Sequence, residues 1–178
     1  MSSLKEKIVK VYAKYTVWKT RKWSKNPVKT QDKVFKKLIS KAKNTRFGKD
    51  HSFCQIHRKE DFSKHVPIRD YEEIKTYINR IIDGETNVLW PGRPIYFAKT
   101  SGTTSGEKHI PISKESMPYH IKGSIDATMH YINETSNTGF LNKKVIFLQG
   151  SPRLEEKKSI KTGPLSGIVA HYTPSVLK

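Results

Sequence analysis

Residues 95–112 read IYFAKTSGTTSGEKHIPI, in which two short apolar runs enclose a segment rich in hydroxyl side chains and glycine. The first run, 95–98, and the second, 110–112, have the composition of short strands. The residues between them, 100–108, include no side chain suited to a core. A polar loop that leaves a strand at the edge of a sheet is a usual place for ligands in α/β folds. This stretch therefore predicts a sheet with a candidate binding loop at its edge.

The chain that follows this stretch predicts a crossover. Ser113 is suited to cap a long helix whose apolar side is formed by Met117, Ile121, Ile125, Met129 and Ile132. Residues 145–148, VIFL, then have the composition of a buried strand. Strand, helix and strand in this order predict a partly parallel sheet. The segment 86–150 is thus predicted to be strand, loop, helix and strand. The segment 151–178 is predicted to be a loop-rich tail, which is rich in Gly, Pro and Ser from residue 163 onward.

The chain that precedes it predicts helices over most of residues 1–85. Asn26-Pro27 separates a first helix from a second, which is predicted from after Thr30 to about Lys43. Asp70 and Glu73 form the pattern of a capping box at the start of another helix, and Gly84 stands where that helix should end. The predicted fold class is α/β, with N-terminal helices followed by part of a mixed or parallel sheet.

Positive charge is concentrated in the first helices. The 178 residues carry a formal net charge of +18, and residues 1–50 hold 16 Lys or Arg against three acidic residues. No zinc-finger, RNP-like or basic-zipper pattern accompanies this charge, which favours a solvated surface over specific nucleic-acid binding. One apolar stripe runs along the first helix, and we expect it to dock on the protein's own domain, with a membrane surface as the alternative. The stripe consists of Leu4, Ile8, Val11, Tyr15 and Trp18.

The loop between the two strands has the residue types that bind phosphate. Glycine lets the backbone approach a ligand, consecutive amides can form an anion-binding nest, hydroxyls donate hydrogen bonds, and a lysine adds charge. It is not a Walker A loop, because Gly102 and Gly106 enclose three residues and His109 follows the lysine. A flexible surface loop is the alternative. The candidate phosphate-binding residues are Thr100, Ser101, Gly102, Thr103, Thr104, Ser105 and Gly106, followed by the candidate catalytic residue Lys108.

These residues resemble the phosphate-binding motif of the adenylate-forming enzyme superfamily. The flanking segments VPIRDYE at 66–72, GE at 84–85 and LWPG at 89–92 are similar to the auxin-responsive acyl acid–amido synthetase family and its bacterial relatives. The resemblance extends from about residue 30 to about residue 150. It implies that the chain is the N-terminal portion of an adenylate-forming large domain, and hence an incomplete domain.

The resemblance also implies a reaction. A carboxylic acid attacks the α-phosphate of ATP with Mg²⁺, and an amino acid then displaces AMP from the acyl-adenylate to form an amide. Residues 101–106 would hold the β- and γ-phosphates, and Lys108 would offset charge on pyrophosphate. The family's second nucleotide motif and small C-terminal domain do not appear in this sequence, so the chain alone is expected to be inactive.

Two rival functions stay open from the sequence. One is a non-catalytic basic module that binds an anionic polymer or a membrane surface, and the other is an inactive family member that binds nucleotide. No secretory signal or spanning segment is predicted, which favours a cytoplasmic location. The seven histidines lack the i, i+4 spacing of metal-binding pairs on a helix, so no protein metal site is predicted.

Overall fold

Helices surround a small sheet in the computed structural model, which describes residues 4–100, 106–143, 150–158 and 160–172. The α-helices are α1 (Leu4–Ser24), α2 (Pro27–Ala42), α3 (Arg46–Asp50), α4 (Lys59–His65), α5 (Tyr71–Ile82), α6 (Met117–Thr135) and α7 (Leu165–Ala170). Two 3₁₀ turns span Phe53–Gln55 and Gly139–Asn142. The strands are β1 (Tyr96–Thr100), β2 (Lys108–Ile112), β3 (Glu155–Lys157) and β4 (Ile160–Pro164).

The sheet is mixed, with the strand order β2-β1-β4-β3. Strands β1 and β2 form an antiparallel pair, β1 and β4 a parallel pair, and β3 and β4 an antiparallel pair. A parallel pair needs a crossover, and α6 lies in the connection between β2 and the second antiparallel pair. The predicted α/β class with a mixed sheet is therefore confirmed.

The C-terminal part of this sheet differs from the sequence-based description. The predicted strand at 145–148 lies outside the described residues. The parallel partner of β1 is instead β4, and the segment expected to be a loop-rich tail contains β3, β4 and α7. Both strands are short, and β3 is exposed along its whole length, so neither has the apolar run by which a buried strand is recognised.

Each face of the sheet is covered by helices. On one face, Phe97 of β1 and Ile160 of β4 pack against Ile78 and Ile81 of α5. On the other face, the start of α6 and the short α7 cover the sheet with Met117 and Ile168, which cluster with Ala98 and Ile112. Phe97 and Ile168 are completely buried. The alternation of side chains along the strands thus fixes which residues face α5.

Helix α5 follows its sequence pattern closely. The Asp70 carboxylate accepts a hydrogen bond from the Glu73 amide at 2.9 Å, and the Glu73 carboxylate accepts one from the Asp70 amide, also at 2.9 Å. This is the predicted capping box. Gly84, just beyond the helix, has φ of +100°, a conformation that L side chains rarely adopt.

The connection between α2 and α5 is more helical than the sequence suggests. Pro27 occupies the first turn of α2, where a missing amide hydrogen costs nothing, so this helix begins earlier than predicted. Soon after α2 ends, the short helix α3 begins, and Thr45 caps it through a 3.0 Å hydrogen bond from the Gly48 amide to the hydroxyl. Thr45 is buried, so this cap belongs to the core.

Helix α1 docks on α6, but not through the predicted stripe. Ala13 of α1 packs against Met129 and Ile132 of α6, and Thr16 and Val17 are buried beside it. The stripe points the other way, with all five members between 53% and 74% exposed. Small side chains let two helices approach closely, and here they decide which face of α1 is buried. No helix among the described residues has the length and apolar content to span a bilayer.

Candidate functional site

The candidate phosphate-binding loop begins and ends on two paired strands. Thr100, the last residue of β1, lies opposite Lys108, the first residue of β2. The chain therefore leaves the sheet and returns to it at the same end, which is also the end where the parallel pair β1 and β4 terminates. Ligands in open α/β sheets bind at this carboxyl end.

The described part of the loop consists of its two ends. Ser101, Gly102, Thr103, Thr104 and Ser105 lie outside the described residues, so their role stays a prediction. Thr100 is exposed at one end. At the other end Gly106 has φ of +76°, and no atom of the described residues lies within 4 Å of where its Cβ would be. This backbone conformation favours glycine.

Lys99 forms the base of the loop. Its ammonium lies 2.7 Å from the Glu107 carboxylate, just after Gly106, and 2.6 Å from the Glu155 carboxylate on β3. The hydrogen bonds and charges of these carboxylates raise the pKa of Lys99, and the Lys99 ammonium in turn lowers the pKa of Glu107. Lys99 and Glu107 are therefore ionised at neutral pH. The lysine side chain is only 17% exposed, and its two ion pairs join β1 to β3 and to the returning end of the loop.

His109 lies beside Lys99 on the face of the sheet that is covered by α5. Its ring packs edge-on against Phe97, with 5.8 Å between the ring centroids, and its side chain is buried. Burial, followed by the charge of Lys157, lowers the pKa of His109. The imidazole is therefore neutral at pH 7, and its Nε2, 3.4 Å from the Lys157 Nζ, is placed to accept a hydrogen bond. Glu107, 3.8 Å away, is too far to reverse this effect.

We call these five residues the Lys99 cluster: Lys99, Glu107, His109, Glu155 and Lys157.

Tyr71 fixes the strand that follows the loop. It is the first residue of α5, and its hydroxyl accepts a hydrogen bond from the His109 amide at 2.8 Å. The capping box of α5 thus positions a side chain that holds β2. The Lys108 ammonium lies 5.6 Å from the centre of the Tyr71 ring, a cation–π distance.

Lys108 differs from Lys99 in its ion pairing. Within the described ranges Lys108 makes no ion pair, whereas Lys99 is paired with two carboxylates. Lys108, the predicted catalytic residue, therefore keeps its positive charge unpaired beside the loop, within the part of the chain that the structure describes. Sequence reasoning did not single out Lys99 or His109. The available signal was the spacing of Lys99, two residues after Phe97 on a strand. Residues two apart on a strand face the same side of the sheet, so Lys99 lies on the side where Phe97 is buried.

A separate cavity of about 450 Å³ lies at the opposite end of the hairpin. Apolar side chains line most of it, including Leu38, Trp90 and Tyr119, together with Lys41 and Glu115, which form a 2.5 Å ion pair. Pro111, near the end of β2, and Ser113, just beyond it, line the cavity, so about 10 Å of strand separate it from the loop. The cavity is therefore separate from the candidate phosphate-binding loop.

Two solved structures share the fold. A structure described as GH3.15 acyl acid amido synthetase matches with a TM-score of 0.70 and 24% identity, over 83% of this chain and 27% of that chain. AtGH3.15 acyl acid amido synthetase in complex with 2,4-DB matches with a TM-score of 0.66 and 23% identity, over 80% of this chain and 25% of that chain. The fold is that of the N-terminal part of an acyl acid amido synthetase.

The sequence gives the family. Residues 18–177 match the model described as GH3 family N-terminal domain, and the chain belongs to the GH3 family. It is 36% identical over 101 residues to indole-3-acetic acid-amido synthetase GH3.15 of Arabidopsis thaliana, covering 56% of this chain and 17% of the relative. It is 24% identical over 142 residues to jasmonoyl–L-amino acid synthetase JAR4 of Nicotiana attenuata, covering 79% and 24%. The chain spans a quarter or less of the length of these relatives.

Proposed function

We propose that this chain is the nucleotide-phosphate-binding part of an ATP-dependent acyl acid amido synthetase. The loop 100–108 would hold the β- and γ-phosphates through its backbone amides and hydroxyls, with Lys108 opposite the developing pyrophosphate charge. The observation that carries this proposal is the rigid base of the loop. Thr100 and Lys108 lie opposite each other on paired strands, and the Lys99 ammonium joins Glu107, at the returning end of the loop, to Glu155 of β3.

The base of the loop matters because phosphate binding by this loop depends on the positions of its hydrogen-bond donors. Donors that are already held in place stabilise charge without a reorganisation cost at the moment of reaction. The Lys99 ammonium lies between the carboxylates of Glu107 and Glu155, whereas the ammonium groups of Lys108 and Lys157 make no ion pair with any described residue. Three ammonium groups against two carboxylates leave net positive charge beside the loop for the phosphates.

The proposed reaction follows from the activities for which the family's members are named, together with this loop. A carboxylate oxygen attacks the α-phosphorus of ATP and pyrophosphate leaves. The amine of an amino acid then attacks the acyl carbon, AMP leaves, and the amine loses a proton. We place Mg²⁺ on the phosphates, because Mg²⁺ in such sites keeps phosphate and water oxygens as ligands. The described residues contain no group of three His, Cys, Asp or Glu side chains arranged for a metal.

Calorimetric titration of this chain with ATP and with tripolyphosphate tests the binding step. The variant Ser101→Ala with Thr103→Ala should weaken both affinities about tenfold or more, because each lost hydroxyl removes a hydrogen bond worth about 1 kcal/mol. The matched control is Ser40→Ala with Thr76→Ala, the same chemical change at two exposed helix positions. Equal affinities for the two double variants would contradict the proposal.

Acid-dependent exchange of labelled pyrophosphate into ATP tests the reaction step. A longer protein that contains this chain should catalyse the exchange only when a carboxylic acid is present, and this chain alone should bind but not exchange. A longer protein that binds ATP through the loop without exchange would instead be an inactive nucleotide-binding family member.

A further inference from the structure

The face of α1 opposite its docking surface is apolar and has no partner among the described residues. Its members are those of the stripe: Leu4 is 74% exposed, Val11 68% and Ile8 60%, and Tyr15 and Trp18 are more than half exposed. At about 100° per residue, the stripe lies about 180° from Ala13, which packs on α6. Helix α1 therefore presents a continuous apolar surface over about four turns.

Lysines border this apolar surface on both sides. On the helical wheel, Lys7 and Lys14 lie on one flank of the stripe, and Lys5 and Lys19 lie on the other. None of these four forms an ion pair with any residue in the described part of the chain. The single acid of the helix, Glu6, lies on the docking side, where its carboxylate accepts a hydrogen bond from Asn142 at 3.1 Å.

The C-terminal end of the stripe is aromatic. Tyr15 and Trp18 stack with 6.0 Å between their ring centroids, and the Lys22 ammonium lies 5.2 Å from the centre of the Trp18 ring. Amphipathic rings of this kind prefer the headgroup level of a bilayer. Lysine can keep its ammonium among the headgroups while its alkyl stem lies along the apolar stripe.

We propose that α1 binds to the surface of membranes that contain anionic lipids, with the stripe inserted at the boundary between headgroups and acyl chains. An apolar stripe with lysines on both flanks has the charge pattern that such a surface complements. The GH3 family match begins at residue 18, so four of the five stripe residues lie before it. The family match therefore does not indicate what covers the stripe. The helix lies on the surface and does not span the bilayer.

Partitioning into vesicles tests this proposal. Vesicles of equal parts phosphatidylcholine and phosphatidylglycerol should bind the chain and shift its tryptophan emission to shorter wavelength, whereas pure phosphatidylcholine should bind it far more weakly. Raising the salt concentration should weaken the binding. Trp18→Phe should remove most of the emission shift, because Trp18 is the tryptophan on the stripe.

Matched variants separate the stripe from charge alone. Ile8→Glu should lower partitioning into vesicles about tenfold or more, because it removes an aliphatic side chain that would be buried among the lipids. Ile68→Glu makes the same substitution at a fully exposed loop position and should leave partitioning within about twofold. Because Ile8 is exposed, the circular dichroism spectrum of both variants should be unchanged.

Four results would overturn the proposal. Equal loss in both variants would show attraction by net charge alone, and binding to a short DNA duplex that Ile8→Glu abolishes would make the partner a nucleic acid. Dimerisation in the absence of lipid that Ile8→Glu abolishes would make it a second copy. A longer protein that contains this chain and ignores anionic vesicles would show that the stripe is covered.

Discussion

Removing the ammonium of Lys99 should destabilise the base of the candidate phosphate-binding loop by a measurable free energy. The Lys99→Met substitution keeps most of the apolar stem but leaves Glu107 and Glu155 without the cation that lies within 2.7 Å of both. Glu107→Gln removes the charge from one partner while it keeps the shape. The double-mutant cycle built from Lys99→Met and Glu107→Gln isolates the contribution of this pair.

The expected coupling is about 1 kcal/mol, the upper end of the range for exposed pairs. It should reach this end because the Lys99 side chain is only 17% exposed, although the Glu107 side chain is 50% exposed and partly screened by water. For a chain of this size, 1 kcal/mol corresponds to about 2–4 °C in the melting temperature.

Urea denaturation of the four proteins measures the coupling. The control is the cycle of Lys75→Met and Glu72→Gln, a 2.7 Å pair on the surface of α5 in which both side chains are about half exposed. That pair should contribute about 0.3 kcal/mol. If the Lys99 pair contributed no more than the Lys75 pair, the base of the loop would not be rigid in the way that we infer.

Three further substitutions test other parts of the structure. Gly48→Ala should lower the free energy of unfolding by about 3 kcal/mol or more, because the new Cβ would lie 2.1 Å from the Ala42 carbonyl oxygen. Gly123→Ala, in open space on α6, should instead raise the free energy of unfolding by about 0.5–1 kcal/mol, and thermal melts of both variants check this. Asp70→Ala should cost about 1 kcal/mol, measured by urea denaturation, through loss of the cap of α5, and a loss near zero would contradict the capping role. The free energy of unfolding should fall as the pH drops below about 6.5, because His109 binds a proton less readily in the folded state than in the unfolded chain. His109→Gln should flatten this part of the plot of stability against pH, and an unchanged slope would mean that His109 is not the group responsible.

Local signals predicted the parts of the fold that local chemistry determines. The capping box of α5 needs only Asp70 and Glu73, and both hydrogen bonds form. The strands around the loop have the composition of strands and occupy nearly the predicted residues. The family could be predicted because several separate motifs agree, and the match over residues 18–177 confirms it.

Long-range packing decided the parts that the sequence did not predict. Counting apolar residues selected the stripe of α1 as its buried face, yet close approach to α6 depends on the small residues Ala13 and Thr16. The Lys99 cluster draws its members from β1, β2, β3 and the end of the loop, so no local spacing could predict it. The pairing of β1 with β4 likewise joins residues more than sixty positions apart.

Backbone amide resonances of the labelled chain, followed during titration with tripolyphosphate, test the central claim most directly. The account predicts saturable shifts concentrated at residues 101–107 and at Lys108, which persist at a salt concentration that suppresses binding to the lysines of α1 and α2. Shifts confined to those helices, with residues 101–107 unmoved, would contradict phosphate binding by the loop.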